Sequence, residues 1–584
     1  MPANQPPNCR KPHALNRRAW LETAISSAWL AHAAQAHGTD LPAPDDHPAS
    51  PAPVLASGAL LAHWPLAGDV RDLSGNEHHG VNHGADLSAE GPEGKAKTAA
   101  RFDGRGFLEI SGNQAPLLGG EDFTISLWVH TEPKLDSILG DLLSYEEPGG
   151  RRGLSVGFAH GTLTSSQPNH RNLFFGIDRG TLGTWADQGR PGRSVYTMAL
   201  AVFAGQLYAA TCEPDEGQSG GVYRLDGDHT WTSCGSPDPC NAVSALAVHE
   251  GALYAGVARY RLAGSSLPES PNRAPGGRVY RYDGGTGWVD CGKLGDAEAI
   301  GCLAVFRGQL YGTSTYSPGV FRYEGGSVWT PCGSGPGGKR IVSLGVFDGQ
   351  LYGTSYDGGW VFRYEGGTQW SLIGEIPGAT QTYSLAVFHS RLHVSTWPRG
   401  EVYRFEGDAN WAFCGRLGEE LEVMPLASWN GRLYGGTLPL AQVYRYEEGT
   451  AWTLTGQLDQ TPEVRYRRAW SMAVYRGRLW CGTLPSGRVF AYQADPCATC
   501  DDSLPAGWNH VAALRRGSEL ELFVNGRLVG RSLPFQRGQP DPGPAGSWRI
   551  GSGPQGGFQG RLSDLRLYRG ALTETQLREL ARRS

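Results

Sequence analysis

The chain has 584 residues, a net charge of -5 and a pI near 6.4, so its charge gives no reason to expect a nucleic-acid partner. Eighty-four glycines beside 10% aromatic residues fit turn-dense β structure, and the length suits two large domains or one very large one.

Near the N-terminus, Asn16-Arg17-Arg18-Ala19-Trp20-Leu21 precedes a mildly apolar run that ends in the small-residue pattern Ala34-Gln35-Ala36. Residues 1–36 therefore resemble a twin-arginine export signal, which implies a periplasmic or extracellular protein. Glu22 and His32 interrupt the apolar run, and a short amphipathic N-terminus is the alternative. Pro, Asp and Ala fill residues 37–58 as in a linker. No other segment is apolar enough to span a bilayer.

Residues 59–182 and 496–584 read as two halves of one domain. The first half holds Asp72 to Asn76 (DLSGN), Phe102 to Gly104 (FDG) and the strand-like EDFTISLWVHT. The second holds Trp508 to Val511 (WNHV), Phe523 to Gly526 (FVNG) and the closing LSDLRLYRGAL. Together they resemble a laminin-G-like, concanavalin-type jelly roll. Neither half has enough strands to cover both faces of a sandwich, whereas joined they do. Asn525-Gly526, flanked by alternating residues, is a strong hairpin signal.

Between the halves, Trp288, Trp329, Trp370, Trp411 and Trp452 recur every 41 residues. A fixed period of this size marks one supersecondary unit repeated side by side. In one copy, period-two alternation predicts strands at Ser343 to Phe347, Gln350 to Thr354 and Trp360 to Tyr364, with a fourth around Trp370. Four antiparallel strands per unit match a β-propeller blade. Leu207, Leu253, Leu310, Leu351, Leu392, Leu433 and Leu479 mark seven copies, the second with a long loop from Arg259 to Gly277. The seventh lacks its Trp, and an open edge must be covered, so Trp185 upstream of the array is expected on the strand that closes it. VYRYDGGTGW and VYRYEEGTAW resemble kelch repeats, although most copies lack the Gly-Gly pair of that family. Asp283, Gly285 and Trp288 also resemble a degenerate sialidase Asp box, a turn-stabilising element. The expectation is an all-β chain: a seven-bladed β-propeller (183–495) inserted into a concanavalin-type β-sandwich, or jelly roll. Excising residues 186–495 should then leave a soluble jelly roll.

Of 11 cysteines, Cys234, Cys291, Cys332 and Cys414 stand three residues after a blade Trp and read as small, partly buried residues. Cys497-x-x-Cys500 at the domain junction admits a disulfide, free thiols or half a zinc site, the disulfide being favoured.

A propeller binds ligands on the face that carries its b–c and d–a loops. There the register places Tyr316, Tyr356 and Trp397 in b–c loops and Tyr383 and Trp470 beside strand a, with Arg340, Arg399, Glu422 and Arg468 in the same loops. Aromatic platforms with hydrogen-bonding charges suit a sugar or a protein partner. The acidic stretch Glu419-Glu420-Leu421-Glu422 reads as a solvated rim. No nucleophile elbow, H-E-x-x-H, P-loop or paired acidic glucanase motif is present. Concanavalin-type resemblance implies that Asp72 and Asn76 could hold a structural Ca²⁺, although both also make good turns; no cofactor is otherwise required. The leading expectation is an exported, noncatalytic recognition protein for carbohydrate or cell-envelope protein. The alternatives are a sialidase-like glycoside hydrolase or a polysaccharide lyase at the propeller mouth, using Tyr383, Glu422 and the arginines, and a protein-interaction scaffold.

Overall fold

A computed structural model describes residues 58–582 apart from 135–136, 148–151, 537, 539–540 and 544–545. The twin-arginine-like segment, and the linker up to residue 57, lie outside the described residues. Strands dominate, and among the described residues a single seven-residue α-helix, Glu574–Leu580, stands near the C-terminus under a Thr573–Gln576 capping box.

Two sheets pack face to face as a concanavalin-like sandwich. In one, Phe123–Thr131 lies between Gln559–Arg569 and Gly507–Arg516, so a strand from before the repeats is flanked by two from after them. Leu127 stands opposite Val511, and Ile125 opposite Leu567. In the other sheet, Ser547–Ile550 fills the gap between Phe107–Ile110 and Asp141–Glu146, and Cys497–Ser503 pairs with Ser166–Asp178. Both sheets turn their alternate apolar residues inward, and Trp64, Phe102, Phe123, Phe158 and Trp548 share one core. Asn525 and Gly526, with φ of 50° and 71°, make the two-residue turn between Glu519–Val524 and Arg527–Arg531.

The repeats form a propeller-like arrangement of small antiparallel sheets. Five are separate four-stranded blades. The strands expected in one copy are those observed: Ser343–Phe347, Gln350–Thr354, Trp360–Gly366 and Gln369–Glu375. A further sheet has eight strands. It consists of two meanders, Tyr196–Phe203 to Thr230–Ser233 and Ala242–His249 to Gly287–Lys293, joined through the Cys212–Ala242 pair. In the last blade the fourth strand is Thr184–Asp187, with Trp185 opposite Tyr492.

Each blade tryptophan ties its strand to the blade before it. Indole Nε1 of Trp231, Trp288, Trp329, Trp370, Trp411 and Trp452 donates to the carbonyl of Gln188, Cys234, Cys291, Cys332, Ile373 and Cys414. Every acceptor lies three residues after the preceding tryptophan, counting from Trp185. Trp185 closes the series on Thr455 Oγ1 at 3.1 Å, three residues after Trp452. In six of the seven links the acceptor serves through its backbone, which is why Cys, Ile and Gln are interchangeable there; Thr455 alone uses its side-chain hydroxyl. The four cysteines are buried and free.

Cys497 and Cys500 do not form the favoured disulfide; both are free. Side chains alternate along a strand, so residues three apart face opposite ways. Cys500 points with Ala498 into the sandwich core, and Cys497 into a cluster with propeller residues Met472 and Leu479.

The turns between strands a and b seat the ring on the sandwich. Asp348-Gly349 shows their form, with φ of 48° and 71°, and Asp348 pairs with Arg105 of the sandwich at 2.8 Å. Elsewhere His389 N donates to Pro554 O, Gly477 N to Thr499 Oγ1, and Arg432 pairs with Asp178. The sandwich also reaches further in. Its long hairpin, Gly153–Leu163 and Ser166–Asp178, runs along the inner strands of the ring. Thr162 Oγ1 donates to Leu344 O, Thr164 Oγ1 to Met424 O, Ser165 Oγ to Met198 O and Asn169 Nδ2 to Val474 O. Leu303 N and Val305 N donate back to Ser165 O and Gln167 Oε1. One element of the sandwich therefore fills the centre of the ring from the side on which it docks.

Candidate binding site

On the opposite face the ring opens into a cavity of about 370 Å³. The hairpin tip, Thr164 and Ser165, is its floor, and Tyr260, Tyr316, Tyr356, Tyr383 and Trp470 line its walls. A propeller puts strand a of every blade around its axis, so residues that begin these strands converge here. Gln381, Glu422 and Arg468 are such residues, at the start of Gln381–Phe388, Glu422–Trp429 and Arg468–Tyr475.

A buried ion pair organises the polar side of the cavity. Arg468 Nε lies 3.1 Å from Glu422 Oε1, with both side chains buried. The Tyr383 hydroxyl donates to Glu422 Oε2 at 2.8 Å and stands beside the Gln381 side chain. Arg468 also donates to Ser265 Oγ and lies 5.6 Å over the Trp470 ring. Burial works against its charge, but Glu422 and the surrounding tyrosines outweigh that effect and hold the guanidinium protonated well above its usual range. Burial likewise raises the phenols of Tyr316, Tyr356 and Tyr383, so they stay neutral hydroxyls at any physiological pH.

The second repeat contributes a flap across part of the mouth. Its 3₁₀ turn, Leu262–Ser265, is held by Glu269, whose carboxylate accepts from Leu262 N and Ala263 N. Arg261 stacks 4.4 Å over Tyr316, donates its backbone N–H to the Tyr316 hydroxyl, and pairs with Glu298 at 3.0 Å. The Trp470 indole Nε1 in this wall has no partner among the described residues. The Trp470 ring meets the buried Tyr196 ring, which lies outside the cavity lining, edge to face at 5.0 Å.

Of the nine residues selected from the sequence, Tyr316, Tyr356, Tyr383, Glu422, Arg468 and Trp470 line this cavity. Three do not. Arg340 is engaged by Asp357 and the Thr315 carbonyl, and Arg399 is exposed and paired with Glu401. Trp397 packs against the edge of the aromatic cluster and meets Tyr466 edge to face. The expected solvated rim is also corrected: Glu419 is exposed, but Glu420 and Glu422 are buried, Glu420 accepting from Thr437 Oγ1 and Leu440 N. Tyr260, Glu269 and the hairpin tip also line the cavity and are not among the nine. The long loop from Arg259 to Gly277 was the available signal for two of them.

In the sandwich, the Asp72 carboxylate accepts from His63 N, Ser74 N, Ser74 Oγ and His78 N. Asn76 turns its amide nitrogen to the Leu60 and Leu61 carbonyls. The DLSGN segment is thus a turn tied to the neighbouring strand Leu60–Trp64.

Fold and cavity define a class: an all-β protein that joins a propeller-like ring to a concanavalin-like, laminin-G-type sandwich. Residues 476–578 match the family model described as the Concanavalin A-like lectin/glucanases superfamily. No curated protein matches the chain significantly. Among solved structures, a virginiamycin B lyase from Staphylococcus aureus is similar at 9% identity and TM-score 0.43, over 53% of this chain and 99% of that one. YCF48 from Cyanidioschyzon merolae is similar at 12% and 0.39, over 53% and 99%. An auxiliary nutrient binding protein from Bacteroides thetaiotaomicron is similar at 11% and 0.33, over 60% and 96%. Among the described residues no helix is long and apolar enough to cross a membrane.

Proposed function

We propose that this is an exported, noncatalytic recognition protein that takes a carbohydrate into the central cavity, the propeller having seven blades and being inserted into the jelly roll between residues 183 and 495. The seven indole links, which return from Trp452 to Trp185, support the blade count. The cavity carries the functional reading. Its size falls within the range of small-molecule sites, and aromatic walls surround a few fixed polar groups, the composition that stacks a sugar ring and orients its hydroxyls.

One observation favours a second reading, a sialidase-like hydrolase: the Tyr383 hydroxyl is bonded to Glu422. Against it, Arg340 and Arg399 are engaged outside the cavity, and Arg468 is already paired with Glu422. A glycan array and a panel of chromogenic glycosides, sialosides included, separate the two. The expected outcome is saccharide binding without turnover. Turnover that disappears in Glu422→Gln would establish the hydrolase instead, and capture of a protein with no glycan bound would favour the scaffold.

A further inference from the structure

Every charge around the cavity is already answered. Arg468 faces Glu422, Arg261 faces Glu298, and Glu269 accepts two backbone N–H groups. A ligand with a net charge would have to break one of these pairs, so the cavity suits a neutral one.

The remaining hydrogen-bonding capacity is of two kinds and sits in two places. On the wall, the Trp470 indole nitrogen is buried and has no partner among the described residues. An indole can only donate, and it therefore calls for an acceptor. On the floor, the Thr164 and Ser165 hydroxyls each give their hydrogen to a carbonyl, Met424 O and Met198 O. Their oxygens keep lone pairs, so the floor accepts. A neutral molecule that offers acceptors to the wall and hydroxyl donors to the floor is a hydroxylated ring. The floor is also rigid, because Thr164 N donates to Ser384 Oγ and Ser165 O accepts from Leu303 N, fixing the tip to different blades.

We propose that the sandwich hairpin is part of the binding site: its Thr164–Ser165 tip is the surface on which a neutral saccharide ends, and it sets the depth of the cavity. This rests on the carbohydrate reading above and assigns the jelly roll a specificity-determining element inside the propeller.

Calorimetric titration of the full chain with neutral cello-, xylo-, malto- and chito-oligosaccharides of increasing length, and with sialyllactose as a charged probe, tests this. Ser165→Ala removes one acceptor and should weaken the preferred neutral saccharide by about tenfold, the equivalent of roughly one hydrogen bond. Ser165→Phe raises the floor and should shift preference to shorter saccharides. Trp470→Phe, which keeps an aromatic ring but loses the donor, should also weaken binding. Thermal midpoints report whether each variant is folded, and the alanine variant decides the matter if the phenylalanine variant is not. Saccharide binding that neither Ser165 variant alters would overturn the inference and leave the carbohydrate reading standing. Preference for sialyllactose would overturn the neutral ligand, and no binding by any saccharide would overturn both readings.

Discussion

At the residue scale, the repeated tryptophan works through one atom. Its indole nitrogen reaches the preceding blade, so the 41-residue spacing is the spacing of links in a ring. That purpose was not visible in the sequence, because in all but the closing link on Thr455 the acceptor is a backbone carbonyl and leaves no constraint on the side chain that carries it. Buried titratable residues are a second case. His393 is 1% exposed, its Nδ1 lies 3.0 Å from the Arg391 carbonyl, and burial pushes its imidazole down to about 3. Between that value and the ordinary 6.5, the unfolded chain binds a proton that the folded one does not, so stability is lost as pH falls below 6.5. Half-buried Asp178 and Asp501, raised to about 6 by desolvation, act with the opposite sign: their contribution is greatest in acid and is lost as pH rises through 6. The whole-protein profile mixes these, and a difference between variants isolates one. Denaturant unfolding of wild type and His393→Phe at pH 7 and pH 5 should show the variant gaining about 2 kcal/mol relative to wild type at the lower pH.

At the scale of elements, the hairpin Gly153–Leu163 and Ser166–Asp178 changes what can be cut from the chain. Read from sequence, excision of residues 186–495 should leave a soluble jelly roll. The hairpin alters that expectation, because Ala159 and Phe174 are buried against propeller residues such as Trp429 and Val474. Without the ring they would be exposed on a long, partly apolar strand pair, a surface open to pairing with other chains. The excised sandwich should therefore aggregate in size-exclusion chromatography, and replacing residues 160–170 by a short turn together with Ala159→Ser and Phe174→Thr should restore a monomer. A monomeric excised sandwich with its hairpin intact would contradict this. The same element explains the limits of sequence reading. Tyr383, Glu422, Arg468 and Trp470 were legible because the repeat register fixes where strand a begins. Thr164 and Ser165 were not, because they lie outside the array and meet it only through contacts far apart in sequence. Arg340 and Arg399 misled because register places a side chain on a face but does not say which carboxylate it finds there.

At the scale of the whole molecule, sandwich and ring belong to one compact body. Sandwich strands from both sides of the repeats pair with each other, the hairpin bonds to the inner strands of the ring, and the a–b turns rest on the sandwich. Neither part can unfold without exposing surface buried by the other, so calorimetry should record one cooperative transition; two separated endotherms would contradict that coupling. The hairpin has one more consequence, in time rather than in space. Residues 153–178 leave the ribosome before any blade, and the strands that complete the sandwich leave it last. The axle is therefore synthesised before the wheel, and the housing is sealed only after the wheel has been built around it. Its first half must wait through the synthesis of the entire ring with its partner strands still unmade, a long interval in which a chaperone has something to hold.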